Sequence, residues 1–529
     1  MKRKNVVIIF IAFVAGLMAL ELRLFVLMTD GELAKTARSQ SALSVELALH
    51  RPDFFDCNGE RLTGSDDAAA ALAFPRTESG YSLLQYVAAD DRVDFLEQME
   101  GNLPFAVRVN PNAASAAPDR VIAIKSRYSA DAPCAHIIGT LGPDGHGDSG
   151  LEHALDDYLS KASASLCMTV EVNANRQPKS GETPALIQRG ATGEGIILTI
   201  DKKIQQIVET QAETLIKRGA VVVVDCATSE IRAIASIPDF DPDNVAAYLS
   251  QEDSPLFNRA LAAYNVGSIY KPVIAAAALS CGIDESFSYE CVGRIEVDGQ
   301  VYTCNDGAAH GTVDMHGAIV KSCNTYFIAL GQRAGAAAIF NTASAMGLGK
   351  PVSLFGSLAS ASGSLPTQSA LSVTSELCNH SFGQGTLLAT PLQVAEYTCC
   401  LANGGNLRPL SLVLSVGGEH QSENSANRVI CEQAAVSIAN CLKKAVQTGT
   451  GRNAQPSFCE AAGKTGTAQT GRVKPDGSEY VIGWFTGWFP ADNPQYVITV
   501  MTEDAGYGFA SAAPVFAAIA NAMFESGCA

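Results

Sequence analysis

Ser268 and Lys271 stand three residues apart in the stretch Gly267, Ser268, Ile269, Tyr270, Lys271, Pro272, and an apolar, alanine-rich run follows to Leu279. On a helix, that spacing puts both side chains on one face within mutual reach. The pair has the form of a nucleophile beside its own base. A serine hydroxyl is a weak nucleophile at its free pKa and needs such a partner. Lysine can act as that base only where burial and cationic neighbours lower its pKa toward neutrality. Pro272 falls in what would be a first helical turn, where an N–H has no partner to lose, so it marks a helix start. Ser268 then lies at the positive end of that helix. No other lysine of the chain has a serine three residues before it.

Two further polar elements interrupt apolar surroundings. Ser322, Cys323, Asn324 lies between the runs Ala318 to Val320 and Tyr326 to Leu330, where a polar triplet is costly unless it faces a site. Two similar triplets, starting at Ser422 and Ser425, sit in a polar surface stretch instead. Lys464, Thr465, Gly466, Thr467 breaks a strand pattern ahead of the aromatic strand Trp484 to Phe489, and glycine inside a strand often marks close approach of another backbone. Taken singly, the three elements could be surface decoration, a cap and a bend.

The chain that must position them has 529 residues, 47% hydrophobic and 17% charged, enough for more than one packed core. A formal charge of −17 without clustered Lys and Arg argues against a nucleic-acid binder. Lys2, Arg3 and Lys4 precede an apolar run from Asn5 to Met28 that only Glu21 and Arg23 interrupt. The run has the length of a membrane span, no small-residue cleavage site follows Leu20, and the preceding charges place the N-terminus in the cytoplasm. Of the 15 cysteines, most, such as Cys226, Cys399 and Cys400, read as small buried hydrophobes. Cys291 and Cys304 flank a hairpin pattern turning at Asp298 and Gly299, so a disulfide across it is expected. Neither CxxC nor HExxH occurs, and no metal site is expected.

In chain order, a polar helix is expected over 30–47, a tight turn at Asn58 and Gly59, and short strands at 121–128 and 136–141. A loop with Gly142, Gly145 and Gly147 and a helix at 151–159 follow. Gly142 to Gly147 lacks the lysine of a phosphate loop and reads as a plain connection. Near Gly195 the pattern sharpens into a strand (196–200), an amphipathic helix (202–217) and paired strands (220–225, 230–236). Helices dominate from Lys271 to about Ala402, with 334–343 and 391–401 the clearest. Strands return at 459–467, 480–488 and 496–503, before a closing helix over 513–524. Strands early and late around a helical middle give an α+β fold: a central antiparallel sheet, assembled from distant segments and packed by helices.

The three polar elements, in this order, resemble the signature set of penicillin-binding proteins and β-lactamases. The chain is similar over nearly its whole length to class B penicillin-binding proteins, the membrane-anchored transpeptidases of bacterial cell-wall synthesis. Supporting matches are Leu198 to Asp201, Asn258 to Ala260, Phe382 to Gly385, Thr390 to Gln393, and Gly483 to Phe485. In the membrane-proximal part they are Arg127 with Tyr128, His136 to Gly139, and Gly150 to Glu152. Pro52, Cys57 and Val266 depart from the family pattern, which expects Gly, Arg and Pro there. The resemblance implies an anchor over 1–29, an extracytoplasmic pedestal over 30–190 and a transpeptidase domain over 191–529.

It also implies the chemistry. Ser268 attacks the carbonyl of a terminal D-Ala-D-Ala bond with Lys271 as base, and D-alanine leaves. Ser322 relays a proton to the leaving amine, while Asn324 hydrogen-bonds Lys271 and the substrate amide. Lys464 and Thr465 hold the substrate carboxylate, the bare Gly466 leaves room for an extended peptide, and the backbone N–H groups of Ser268 and Thr467 form the oxyanion hole. Stem peptides, an acceptor amine, β-lactams and a separate membrane glycan polymerase are the implied partners, with no cofactor. A Ser-His-Asp hydrolase is disfavoured because no GxSxG occurs and the eight histidines are scattered. A secreted β-lactamase needs neither the anchor nor about 170 residues before its catalytic domain. A D,D-carboxypeptidase, or a membrane-anchored β-lactam sensor or scaffold, remains the alternative.

Overall fold

The computed structural model describes residues 3–31, 36, 41–129, 131–173, 175–179, 183–304, 307–422, 424–475 and 477–529. Helix α1 (Arg3–Thr29) has a mean hydropathy of 2.4 and no buried residue. Its 27 residues rise about 40 Å at 1.5 Å each, more than the ~30 Å hydrocarbon thickness of a bilayer, so it is long and apolar enough to cross one.

The chain divides into two compact units. The first comprises Met1–Pro52, Gly64–Arg127 and Ala162–Gly193; the second comprises Asp53–Thr63, Tyr128–Lys161 and Glu194–Ala529. Two stretches within the 30–190 span therefore cluster with the C-terminal residues.

The first unit contains β1 (Ala42–His50), β2 (Ser65–Ala73), α2 (Arg92–Met99), β3 (Phe105–Val109), β4 (Val121–Ser126), β5 (Ala164–Glu171) and β6 (Ala185–Arg189). They form two three-stranded sheets in the orders β3-β2-β4 and β1-β5-β6. The alanines of β2 show the two-residue period of a strand buried on both faces. Ala69, Ala71 and Ala73 pack with Phe95 and Met99 of α2, while Ala70 and Leu72 pack with Leu47, Met168 and Val170. β1 corrects the polar helix expected over 30–47: Leu43, Val45, Leu47 and Leu49 alternate with less apolar residues, a strand period. Positions 32–35 and 37–40 of that expected helix lie outside the described residues.

The second unit begins its regular part with α3 (Lys202–Leu215), β7 (Gly219–Asp225), β8 (Ile231–Ile237) and α4 (Lys271–Ser280). Four short strands follow, β9 (Tyr289–Cys291), β10 (Arg294–Val297), β11 (Gln300–Thr303) and β12 (Gly311–Val313). Then come α5 (Met315–Lys321), α6 (Asn324–Ala345), α7 (Pro391–Ala402) and α8 (Glu432–Thr448). The chain closes with β13 (Ala462–Val473), β14 (Glu479–Phe489), β15 (Tyr496–Glu503) and α9 (Ala513–Glu525). Segment 136–141, expected as a strand, instead contains part of a single helical turn, Ala135–Ile138.

The central sheet is antiparallel in the order β8-β7-β15-β14-β13, so the fold is α+β with β13 at an edge. Residues 220–224 of β7 are all fully buried because both faces of the sheet are covered. Val221, Val223, Phe485 and Val500 pack against Val208 of α3 and Phe516 of α9. On the opposite face, Val222, Val224, Trp484 and Met501 join a core with Ile274 of α4, Tyr326 of α6 and Leu392 of α7. Burial of each such side chain contributes about 1.5–3 kcal/mol, which holds the helical layer, and the polar turns it carries, against the β13 edge.

Candidate active site

Immediately before α4, residues Gly267–Tyr270 form a 3₁₀ turn. Lys271 opens α4 directly after this turn, so Ser268 and Lys271 lie about one turn apart along the chain. Ser268 is half-buried, whereas Val266, Gly267, Ile269, Tyr270 and Lys271 are buried. Side chains from distant elements fix the turn. Tyr397 Oη donates to Ile269 O at 3.0 Å, Trp484 Nε1 to Asn265 O at 2.8 Å, and Gly267 N to Gly383 O at 2.9 Å. Pro272 sits in the first turn of α4, as its position after Lys271 requires.

Gly267 has φ +61°, and a Cβ built there would stand 2.7 Å from Thr467 O. Replacement by alanine adds a left-handed penalty of about 1–2 kcal/mol and pushes the turn off the strand. Gly267→Ala is therefore expected to lower unfolding free energy by at least that much in urea titration. An unchanged value would show that the close approach is unimportant. Val266 has φ −93°, outside the narrow range around −65° open to proline, and its side chain joins the main core.

Ser322, Cys323 and Asn324 make the turn between α5 and α6. Ser322 is left-handed (φ 55°, ψ 42°), which turns the chain sharply at the end of α5. Lys271 Nζ donates to Ser322 O at 2.7 Å, Ser322 Oγ at 3.1 Å and Asn324 Oδ1 at 2.7 Å, and lies 5.6 Å from the centre of the Phe327 ring. Lys464 Nζ donates to the same Ser322 Oγ at 3.1 Å and to Thr465 O at 3.1 Å. Two buried amines thus converge on one hydroxyl. Among the described residues neither amine is paired with a carboxylate, and no hydrogen bond joins Ser268 Oγ to Lys271.

Burial lowers the Lys271 pKa to about 7. Its three acceptors can satisfy every N–H of an ammonium, so the proton is disfavoured by lost hydration but not excluded, and the amine can work in both forms. The pKa of Lys464 is also lowered, first by burial and then by the neighbouring Lys271 charge.

Lys464, Thr465, Gly466 and Thr467 lie on β13, paired with Thr486, Phe485, Trp484 and Gly483 of β14. Thr465 Oγ1 donates to Thr450 Oγ1 at 3.0 Å, and Thr467 Oγ1 accepts from Gly508 N at 3.1 Å. The space that a side chain on Gly466 would take is not open for a peptide. A Cβ there meets Val266 O at 2.9 Å and Ile269 Cγ2 at 3.0 Å, so the missing side chain admits the Ser268 turn itself.

The expected Cys291–Cys304 disulfide is absent, both thiols being free. The hairpin is β10–β11, turning at Asp298 and Gly299 as expected, but Cys291 precedes it on β9 and pairs with Gly311 of β12. Cys304 turns instead toward Cys323, with sulfurs 3.9 Å apart. The expectation of no metal site rested on local spacing alone. Folding brings Cys291, Cys304, His310 and Cys323 together with their ligand atoms within 4.8 Å of one another.

Residues 219–521 match the family model of the penicillin-binding protein transpeptidase domain, more than half of the chain. The chain belongs to that family. It is 30% identical over 362 residues to peptidoglycan D,D-transpeptidase MrdA of Acinetobacter baumannii, covering 61% of this chain and 53% of the relative. It is 29% identical over 420 residues to stage V sporulation protein D of Bacillus subtilis, covering 74% and 62%. The chain thus spans 53% and 62% of the length of these two relatives. A solved structure described as "Structural coordination of polymerization and crosslinking by a peptidoglycan synthase complex" contains a chain of the same fold. It superposes with a TM-score of 0.73 at 24% identity, covering 98% of each chain.

Several other motifs of this penicillin-binding family member are structural supports of the site. Thr390 and Gln393 form a capping box that starts α7, whose Tyr397 holds the Ser268 turn. Arg259 pairs with Glu503 at 3.0 Å, Asp201 caps α3, and Gly383 receives Gly267. Sequence reasoning missed Tyr397, Phe327 and the Tyr270–His380 hydrogen bond of 2.7 Å. Tyr397 and Phe327 are buried aromatics on apolar helices, Tyr270 is buried in the turn itself and His380 is buried near the end of a short helix (Thr374–Ser381), and no sequence pattern separates them from ordinary core.

Proposed function

We propose that the chain is a membrane-anchored peptidoglycan D,D-transpeptidase that cross-links stem peptides in bacterial cell-wall synthesis through a Ser268 acyl-enzyme. The observation that carries this reading is the convergence of the buried Lys271 and Lys464 amines on Ser322 Oγ, beneath the turn that presents Ser268. Lys271, in its neutral form, takes the Ser268 proton as Oγ bonds to the penultimate D-alanine carbonyl. The C–N bond to the terminal D-alanine breaks, and the proton reaches that amine through Ser322. An amine from a neighbouring stem peptide then attacks the ester, its proton returning by the same relay, and Ser268 is released. Asn324 holds Lys271 and the substrate amide, Lys464 and Thr465 hold the terminal carboxylate, and the N–H groups of Ser268 and Thr467 receive the oxyanion. Each such donor is worth about 2.7–4 kcal/mol.

In this reading 1–29 forms the anchor with a cytoplasmic tip, as Lys2, Arg3 and Lys4 favour. Residues 30–190 supply the pedestal, although 53–63 and 128–161 cluster with the second unit, and 191–529 carry the reaction outside the membrane. A separate membrane glycan polymerase supplies the strands, and β-lactams acylate Ser268 in place of D-Ala-D-Ala.

Incubation of the full-length protein with a D-Ala-D-Ala-terminated donor and a D-amino acid acceptor tests the proposal. Mass spectrometry is expected to find the exchanged peptide. Hydrolysed peptide alone would mean a carboxypeptidase, and unchanged peptide with penicillin labelling intact would mean a sensor. Lys464→Ala is expected to slow acylation by carboxylated β-lactams about 10²-fold or more, the scale of losing a charged hydrogen bond of 1.5–3 kcal/mol plus relay geometry. An unchanged acylation rate constant in stopped-flow measurements would remove Lys464 from carboxylate binding.

A further inference from the structure

Cys291, Cys304, His310 and Cys323 come from four separate places: the end of β9, the residue after β11, the residue before β12, and the Ser322–Asn324 turn. The three cysteines are buried, and all are free thiols. Their separations can be set against a tetrahedral zinc centre. Zinc binds thiolate at about 2.3 Å and imidazole nitrogen at about 2.0–2.1 Å, so neighbouring sulfurs stand about 3.8 Å apart and a sulfur stands about 3.5 Å from the nitrogen. Here Cys304 Sγ to Cys323 Sγ is 3.9 Å, and His310 Nδ1 lies 3.5 Å from Cys291 Sγ and 3.4 Å from Cys304 Sγ. Three of the six donor separations thus match tetrahedral edges, and all four donor atoms lie within 4.8 Å of one another.

We propose that Cys291, Cys304, His310 and Cys323 form a Cys3His site for one divalent zinc-type cation that ties the β9–β12 hairpins to the Ser322–Asn324 turn. Three thiols and an imidazole form a soft donor set that selects zinc over calcium or magnesium, and a closed four-ligand shell is the mark of a structural centre. On binding, the three thiols give up their protons to solvent and the neutral imidazole keeps its Nε2 proton. The groups around the donors suit thiolates: Asn324 N donates to Cys304 Sγ at 3.3 Å, and Thr325 Oγ1 lies 3.4 Å from Cys323 Sγ. Such partners orient ligands and raise affinity. Cys323 is the middle residue of the turn that accepts Lys271, so the ion acts as a brace, and Cys323 is a positioning residue with no contact to substrate. His310 O accepts from Lys321 Nζ at 3.2 Å, which joins the ligand loop to the end of α5 as well.

The test is metal binding itself, independent of transpeptidation. The full-length protein is purified under reducing conditions, stripped with a chelator, and titrated with Zn²⁺ or Co²⁺. One equivalent per chain is expected, with thiolate-to-cobalt charge-transfer absorption in the near ultraviolet and tetrahedral d–d bands in the visible. Cys304→Ser and His310→Gln are each expected to weaken Zn²⁺ binding at least 10-fold, while Cys281→Ser, at an exposed cysteine elsewhere, leaves it unchanged. Wild-type protein that binds no more metal than Cys304→Ser overturns the proposal. So does a Cys304–Cys323 disulfide in protein isolated under non-reducing conditions with rapid alkylation, or full occupancy in a Cys304→Ser/His310→Gln double variant. Where a variant fails to fold, the cobalt spectrum of the wild type decides: octahedral bands without thiolate charge transfer refute the site.

Discussion

Ser268→Ala is expected to abolish covalent labelling by fluorescent penicillin while leaving the melting temperature and the circular dichroism spectrum unchanged. Ser268 is the only half-exposed residue from Val266 to Lys271, so its hydroxyl can meet a ligand while its neighbours are locked into the core. Removing one oxygen there costs little packing, because the turn is held through its backbone by Tyr397, Trp484 and Gly383. In the proposed mechanism the reaction loses its nucleophile, since Ser268 is the half-buried hydroxyl of the turn that leads into Lys271. Ser322 cannot substitute: two amines engage its Oγ and its left-handed backbone points it into the cluster. Labelling of the variant at the wild-type rate, followed by mass spectrometry of the modified peptide, would place the acyl group elsewhere and remove Ser268 from the mechanism.

How far the sequence foretells such a site depends on the range of the interaction. The 3.6- and 2-residue periods are local, and they locate β15 at 496–503, the Asp298–Gly299 turn and the start of α4. Ser268 and Lys271 are legible for the same reason, their relation being one helical turn. The role of Gly466 is not, because its constraint comes from Val266 and Ile269, some 200 residues away. The Cys291–Cys304 pairing fails for a related reason. Flanking a hairpin brings two residues near each other, but Cys323 and His310 enter the same space from beyond it and reorganise the partners. At 136–141 a short apolar run carries no period, and a single helical turn around His136 takes the place of a strand. β1 is the opposite case: Leu43, Val45, Leu47 and Leu49 alternate with Ser44, Glu46, Ala48 and His50, so its strand period is present in the sequence and the helix expected there overlooks it.

The pH dependence of acylation should follow Lys271. With its pKa lowered to about 7 by burial, the amine is mostly protonated below that value and cannot accept the Ser268 proton. Above it the amine is neutral and the base is armed. The second-order rate constant for penicillin acylation is therefore expected to rise about 10-fold per pH unit on the acid side, inflect near 7 and level off above it. An unshifted lysine would place the inflection near 10.4. Lys271→Ala should lower the rate constant by about 10²–10⁴-fold, the usual worth of a general base, and remove the inflection. Lys271→Arg keeps the charge and much of the volume, yet its guanidinium does not deprotonate in this range, so it is expected to be as slow as the alanine variant. That comparison separates the base from a merely electrostatic lysine. A fixed cation beside Ser322 would be preserved by arginine, and a wild-type rate in Lys271→Arg would assign the base to another group. Lys464 is the natural candidate, since its amine shares Ser322 Oγ and its pKa is also lowered. If Lys464 were the base, Lys464→Ala rather than Lys271→Ala would erase the inflection.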